Sequence, residues 1–90
     1  MLEVYATTLA WMATIFGSLL SLAYLPQIYK IYKRKSVEDI SILMYSIVFP
    51  ALVIWLLYGL SINNLALIAA NTIGVSLSAI IIIQYIVYKK

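Results

Sequence analysis

The longest uncharged segment of the chain runs from Ile40 to Tyr88. A membrane-spanning helix needs about 20 apolar residues, so this segment is too long for one span and suits two spans joined by a turn. We place the turn at Ser61–Asn64, the most polar run inside the segment, because asparagine tolerates turn conformations and caps helices. The segment therefore predicts two spans, at about residues 40–61 and 65–88.

The composition of the whole chain supports a membrane protein. Hydrophobic residues make up 66% of the 90 residues and charged residues 10%, whereas soluble domains average about 45–50% and about 25%. A further span is predicted at about residues 4–29. It should be retained rather than cleaved as a signal peptide, because Glu3 is acidic and no basic residue precedes the apolar run. Three strands cannot close a barrel, so we predict an all-α membrane protein with one three-helix domain over residues 1–90.

The lysine and arginine residues predict the orientation of the chain. The first loop contains four of them and the second loop none, while Lys89 and Lys90 follow the last span. Basic loops stay in the cytoplasm. We therefore expect a protein of the cell membrane whose first loop and C-terminus lie in the cytoplasm and whose N-terminus lies outside the cell. The basic residues of the first loop are Lys30, Lys33, Arg34 and Lys35; binding of anionic lipid is a further role that such a cluster can serve.

Several functional classes are excluded by residues that the chain lacks. It contains no cysteine and no histidine, and no charged residue lies within the expected span interiors. No nucleophile and base can therefore be paired, so we expect neither an enzyme nor a bound metal or cofactor. Six basic residues among this much apolar surface form no face for nucleic acid. Transport by this chain would be passive, because coupling to protons or ions usually needs ionisable groups inside the membrane.

Small residues recur at every fourth position in the first and third spans. Such rows let membrane helices approach closely, so these two spans should pack tightly, against each other or against a partner. The favoured interpretation is that the rows only hold the bundle together. Three helices enclose too little space for a solute, so a transport path would have to lie between protomers, most simply in a two-fold dimer whose axis follows the membrane normal. The rows are Ala13, Gly17 and Ser21 in the first span and Ala66, Ala70, Gly74 and Ser78 in the third.

Trp55 and Asn71 are the candidate binding residues. Counted from the turn at 1.5 Å per residue, Trp55 lies about 12 Å deep and Asn71 about 10 Å deep, at a similar level in the membrane. An indole stacks on the apolar face of a sugar ring, and an amide both donates to and accepts from neighbouring hydroxyls. The alternative is that Asn71 bonds to a neighbouring helix while Trp55 faces lipid. Trp11 also lies deep, and for it a lipid-facing position is favoured.

Two prolines interrupt the apolar runs. Pro26, followed by Gln27, lies near the end of the first span, and Pro50 lies near the middle of the second. Proline removes a helical hydrogen bond and clashes with the preceding turn, so both helices should kink. The kink at Pro26 is either a hinge or a simple bend.

Taken together, these residues resemble the SemiSWEETs, the half-size relatives of the SWEET sugar transporters in the PQ-loop superfamily. The resemblance covers nearly the whole chain and combines a Pro-Gln dipeptide, a basic first loop and matching residues in the second and third spans. The residues that carry it are Pro26 and Gln27, Ile40 and Ser41, Met44 and Tyr45, Trp55, Tyr58 and Gly59, and Ala70 and Asn71.

The resemblance implies a three-helix bundle whose third helix packs between the first two, working as a parallel homodimer with one sugar path on its axis. It implies that Trp55 and Asn71 line the sugar site. It also implies that Pro26, with Gln27, forms the hinge of an alternating-access motion. Met44 corresponds to a residue of the intracellular gate and Tyr58 to one of the extracellular gate.

Two features depart from the pattern of this family. Ile62 and Asn64 stand where several relatives have an arginine and an aspartate that latch the outer gate, so the outer gate here would rest on Tyr58 and packing. Pro50 occupies a position where proline is not expected. Two alternatives to a sugar facilitator stay open: a PQ-loop transporter of another small solute, and a membrane subunit that transports nothing.

Overall fold

The computed structural model describes residues 1–89, so Lys90 lies outside the described residues. A short 3-10 turn, Leu2–Tyr5, leads into helix α1 (Ala6–Leu22), which is followed after Ala23 by helix α2 (Tyr24–Arg34). Helices α3 (Ile42–Ser61) and α4 (Leu65–Tyr88) complete the chain. Leu2–Arg34, α3 and α4 are each long and apolar enough to cross a membrane, which confirms the prediction of an all-α protein with three spans.

Helix α4 is the centre of the bundle. It packs against α1, α2 and α3, whereas α1 and α3 share no packed interface of their own in the described part of the chain. The third span therefore lies between the other two, as the family resemblance implies. Few side chains are fully buried within this single copy of the chain, and most large apolar side chains of the helices point outward.

Small residues allow α1 and α4 to approach closely, as their spacing predicts. A Cβ atom built on Gly17 would lie 3.1 Å from the Cβ of Ala70. The Ser21 hydroxyl donates a hydrogen bond of 2.8 Å to the carbonyl of Ala70, and it lies 3.4 Å from a Cβ built on Gly74. The two rows of small residues thus pack against each other within one protomer.

The turn between α3 and α4 forms where the sequence predicts it. Asn63 adopts a left-handed conformation with φ of 53°. The backbone N–H groups of Asn63 and Asn64 donate to the carbonyls of Leu60 and Gly59, respectively, which is the Schellman arrangement that closes a helix C-terminus. Asn64 also begins the next helix, because its side-chain oxygen accepts a hydrogen bond of 3.1 Å from the N–H of Leu67.

The end of the bundle near the basic loop contains the largest buried cluster. Ile31 of α2, Val37 of the loop, Tyr45 of α3 and Ile81 of α4 meet there and are almost fully buried. Helix α2 ends at Lys35, whose left-handed conformation (φ of 54°) turns the chain. Apolar contacts therefore join all three spans at this end of the protein.

Two details differ from a simple reading of the sequence. Helical structure continues to Arg34, past residue 29 where the first span was expected to end, because Ile31 turns inward to the cluster while the basic residues stay exposed. Helix α3 runs through Pro50 without a break in its helical structure, whereas the first span is interrupted at Ala23, shortly before Pro26.

Candidate functional site

The register between α3 and α4 sets the level of every residue along them. A Cβ built on Gly59 would lie 2.7 Å from the Cβ of Leu67, so these two positions face each other near the turn. A Cβ built on Gly74 would lie 3.0 Å from a methyl group of Leu52, so those two positions face each other further along. The helices run antiparallel, and residues between Leu52 and Gly59 are level with residues between Leu67 and Gly74.

Trp55 and Asn71 lie at the same level of the bundle in this register. Trp55 follows Leu52 by three positions on α3, and Asn71 precedes Gly74 by three positions on α4. The depth match that was inferred by counting from the turn therefore holds in the packed helices. An aromatic ring and an amide occupy one layer, on two adjacent helices.

The Trp55 side chain belongs to an outward aromatic surface. It is 52% exposed in this single copy of the chain. Its ring lies edge-on to the ring of Tyr58, with centroids 5.9 Å apart and planes at 81°. With Ile54, these two rings line a shallow apolar groove on α3. The geometry offers a flat aromatic face to whatever lies against α3.

The Asn71 side chain is held within α4. It is only 8% exposed, and its Nδ2 donates a hydrogen bond of 2.8 Å to the carbonyl of Leu67 one turn earlier. The amide therefore bonds to its own helix rather than to a neighbouring one. Among residues 1–89, no hydrogen bond joins Asn71 to Trp55, and none is accepted by Oδ1 of Asn71. The oxygen of the amide keeps its capacity to accept.

Pro26 lies in the first turn of α2. It has no N–H to donate to the carbonyl of Leu22, which would be its partner in a continuous helix. One turn earlier, the N–H of Ala23 donates to the carbonyl of Leu20, three residues back, at 3.1 Å. The helix tightens and is interrupted at this point, with Pro26 exposed and Gln27 partly buried just beyond it. The two residues thus follow a discontinuity in the first span.

Met44 and Tyr58 lie towards opposite ends of α3. Ser41 caps the start of this helix, because its hydroxyl oxygen accepts a hydrogen bond of 3.1 Å from the N–H of Met44. Both Met44 and Tyr58 have about half of their surface exposed. Trp55 lies between them along the helix, close to Tyr58. The two residues predicted to form gates therefore lie on either side of Trp55.

The turn between α3 and α4 has no charged latch among residues 1–89. Asn64 caps α4, and Ile62 ends α3. Within the described chain, the two ion pairs are those of the N-terminal amine with Glu3 and of Arg34 with Asp39, neither of which joins α3 to α4. Packing at Gly59 is what joins the two helices here.

One polar residue was not singled out by the sequence analysis. Gln84 of α4 donates a hydrogen bond from Nε2 to the carbonyl of Ile28 on α2, at 3.2 Å. Its Oε1 is buried without a hydrogen-bond partner among the described residues. The available clue was an amide within the apolar run that ends α4, but its partner lies far away in the sequence.

Comparison with known proteins places this arrangement in a family. Residues 7–90 match the family described as "Sugar efflux transporter for intercellular exchange". The sugar transporter SemiSWEET of Bradyrhizobium diazoefficiens is 35% identical over 76% of this chain and 79% of its own length. The bidirectional sugar transporter SWEET12 of Oryza sativa subsp. japonica is 32% identical over 82% of this chain, which corresponds to only 26% of the rice protein.

A solved structure has the same fold. The crystal structure of a bacterial homologue of SWEET transporters superimposes with a TM-score of 0.82 and 34% sequence identity, covering 88% of this chain and 95% of that one. The match of helices, of length and of sequence extends over almost all of both chains. The chain is therefore a multi-pass membrane protein that belongs to the SemiSWEET and SWEET family.

Proposed function

We propose that this chain is a passive transporter of mono- or disaccharides that works by alternating access as a parallel homodimer. Its bacterial relative of similar length is named a sugar transporter, and the family match covers residues 7–90. The protein resides in the cell membrane, with the N-terminus outside and the C-terminus in the cytoplasm, since the basic residues follow the first and last spans.

The observation that carries this proposal is the shared level of Trp55 and Asn71. The exposed indole offers a stacking surface, and Oδ1 of Asn71 has an unused capacity to accept from a sugar hydroxyl. A single copy exposes Trp55 on its outer surface. A second copy related by a two-fold axis would cover that surface and present the same pair from the other side, which encloses a solute between two indoles.

Passive transport follows from the chemistry of the spans. No charged residue occurs between Val4 and Tyr29 or between Ile40 and Tyr88. Coupled transporters place carboxylates or other ionisable groups along the pathway to carry protons or bind ions. A chain without them moves a neutral solute down its gradient, in whichever direction the gradient runs.

The alternating motion is assigned to the discontinuity in the first span. Pro26 and Gln27 follow the interruption at Ala23, and hinges are commonly residues at the ends of helices that absorb changes in φ and ψ. Met44 and Tyr58, on opposite sides of Trp55, would close the path alternately towards the cytoplasm and towards the outside.

Flux of radiolabelled glucose and sucrose into proteoliposomes tests the proposal. We expect saturable uptake that is lost in Trp55→Ala and in Asn71→Ala, with the dimer intact in mild detergent. Trp11→Ala is the matched control for the first, because Trp11 is exposed to a similar extent and should leave flux unchanged. Thr72→Ala, at the exposed neighbour of Asn71, is the control for the second. Unaltered flux in Asn71→Ala for every tested sugar would remove that residue from the site, and absence of flux in a well-folded dimer would refute sugar transport.

A further inference from the structure

Two hydrogen bonds from side chains join the helices of the described chain, and they flank the interruption in the first span. Ser21 Oγ on α1 donates to the carbonyl of Ala70 at 2.8 Å, just before the interruption. Gln84 Nε2 on α4 donates to the carbonyl of Ile28 on α2 at 3.2 Å, just after it. The discontinuity at Ala23 is therefore anchored to α4 on both sides.

The two anchors differ in how firmly they are built. The first lies in a close contact of small residues. A Cβ built on Gly17 would lie 3.1 Å from the Cβ of Ala70, and a Cβ built on Gly74 would lie 3.4 Å from Oγ of Ser21. Its hydrogen bond, at 2.8 Å, has the usual length for a hydroxyl donor. Because packed small residues leave no side chain to rearrange, this side of the interruption is fixed to α4.

The anchor on the other side is longer and incompletely satisfied. The 3.2 Å separation between Gln84 Nε2 and the carbonyl of Ile28 is at the long end of the range for N–H···O bonds. Gln84 Oε1 is the one buried side-chain oxygen or nitrogen without a partner in residues 1–89. The amide therefore contributes a single hydrogen bond to the contact between α2 and α4.

Breaking this bond would leave α2 intact. The carbonyl of Ile28 lies inside the helix Tyr24–Arg34, where the N–H of Tyr32, four residues later, is its helical partner. Ile31 and Ile81 meet in the buried cluster nearby, and this apolar contact, unlike the hydrogen bond, has no directional requirement.

We propose that Gln84 is a positioning residue that tethers α2 to α4 in the conformation described here and releases it when α2 swings about Pro26. The proposal rests on the alternating-access function proposed above. In this proposal, Gln84 does not contact the substrate. It acts only on the equilibrium between the two conformations.

A distance measurement tests the tether without requiring any sugar. The chain has no cysteine, so Lys30→Cys on α2 and Val87→Cys on α4, both at exposed positions, can carry two spin labels. Labelled chains are diluted into unlabelled protein and reconstituted into lipid nanodiscs, and pulsed electron paramagnetic resonance gives the distribution of distances between α2 and α4.

Gln84→Met removes the amide at similar length and should raise the ratio of the longer-distance to the shorter-distance population about threefold, from the average strength of inter-helix hydrogen bonds in membranes. Gln84→Leu should do the same and guards against a folding defect in one variant. Ser21→Ala is the matched control, because it also removes one inter-helix hydrogen bond; it should lower thermal stability and leave the distribution unchanged.

Two results would overturn the tether. One is a wild-type distribution in both Gln84 variants, and the other is an equal shift in Ser21→Ala, which would reduce Gln84 to a general packing role. Failure of sugar transport is separate from both, because it is observed as absent flux in the unsubstituted protein. A shift in distances with no flux would retain the tether and refute only the sugar.

Discussion

Substitution of Gly59 by alanine tests how closely α3 and α4 must approach beside Tyr58. A Cβ at position 59 would lie 2.7 Å from the Cβ of Leu67, 3.2 Å from the backbone nitrogen of Ile68 and 3.3 Å from the carbonyl carbon of Leu67. These neighbouring atoms are backbone or Cβ atoms, so no change of side-chain rotamer relieves the contact. The two helices have to move apart.

The magnitude follows from the overlap. Carbon atoms pack at about 3.5 Å or more, so the helices must separate by about 0.8 Å at this point. Overpacking costs about 1–3 kcal/mol, and the upper part of that range, about 2–3 kcal/mol, applies here because none of the three neighbouring atoms can rotate away. The better helix propensity of alanine returns about 1 kcal/mol. We expect Gly59→Ala to lower the free energy of unfolding by about 1–2 kcal/mol, which in a domain of this size lowers Tm by about 5–15 °C.

The other two glycines of the chain are matched controls, because all three lie at contacts between helices. In Gly17→Ala, the new Cβ meets the Cβ of Ala70 at 3.1 Å, a smaller overlap. In Gly74→Ala, it meets the terminal methyl of Leu52 at 3.0 Å, and that methyl can rotate away. Gly74→Ala should therefore be the most stable of the three variants, Gly17→Ala the next and Gly59→Ala the least stable.

Thermal unfolding followed by the helical circular dichroism of purified protein in mild detergent measures this order. Sugar flux should fall along with stability in Gly59→Ala, because Tyr58 precedes the displaced residue. A Tm of Gly59→Ala equal to that of the unsubstituted protein would refute the reasoning. So would a Tm for Gly74→Ala below that of Gly59→Ala, since the overlap there involves only a mobile methyl group.

Two further predictions concern the turn and the hinge. Asn63 has a φ of 53°, so Asn63→Gly should change the free energy of unfolding little. Asn63→Val should lower it by about 1–2 kcal/mol, the cost of a left-handed conformation for a residue with a Cβ. Chemical or thermal unfolding compares the two variants, and equal stability would contradict this account. Pro26→Ala supplies an N–H at position 26 and should join α1 and α2 into one continuous helix, which should slow sugar flux. Pro50→Ala should leave flux unchanged, and equal flux in the two variants would argue against a hinge at Pro26.

The features that could be predicted from the sequence depend on short-range patterns. The uncharged segment from Ile40 to Tyr88 was sufficient to predict two spans, and the polar run Ser61–Asn64 to place the turn between them. The level of Trp55 and Asn71 was also predictable, because both were counted from that one turn along antiparallel helices. Rows of small residues predicted close packing of the first and third spans, although they left the partner open.

The features that could not be predicted depend on contacts between distant residues. The helix continues through Lys30 and Lys33 to Arg34 because Ile31 packs against Ile81 of α4, and a run of charges alone favours a loop. The pairing of Gln84 with the carbonyl of Ile28 spans 56 residues. The inward hydrogen bond of Asn71 to its own helix depends on a rotamer that sequence spacing does not determine.

The odd number of spans has a consequence for how such a chain can be lengthened. With three crossings, the polypeptide enters the bilayer on one face and leaves it on the other. If two copies were joined end to end by gene fusion, the second copy would begin on the opposite face and would be inserted upside down. A covalent pair in the parallel arrangement proposed for the dimer therefore needs an odd number of additional crossings between the copies, and one extra helix is the smallest addition that satisfies it.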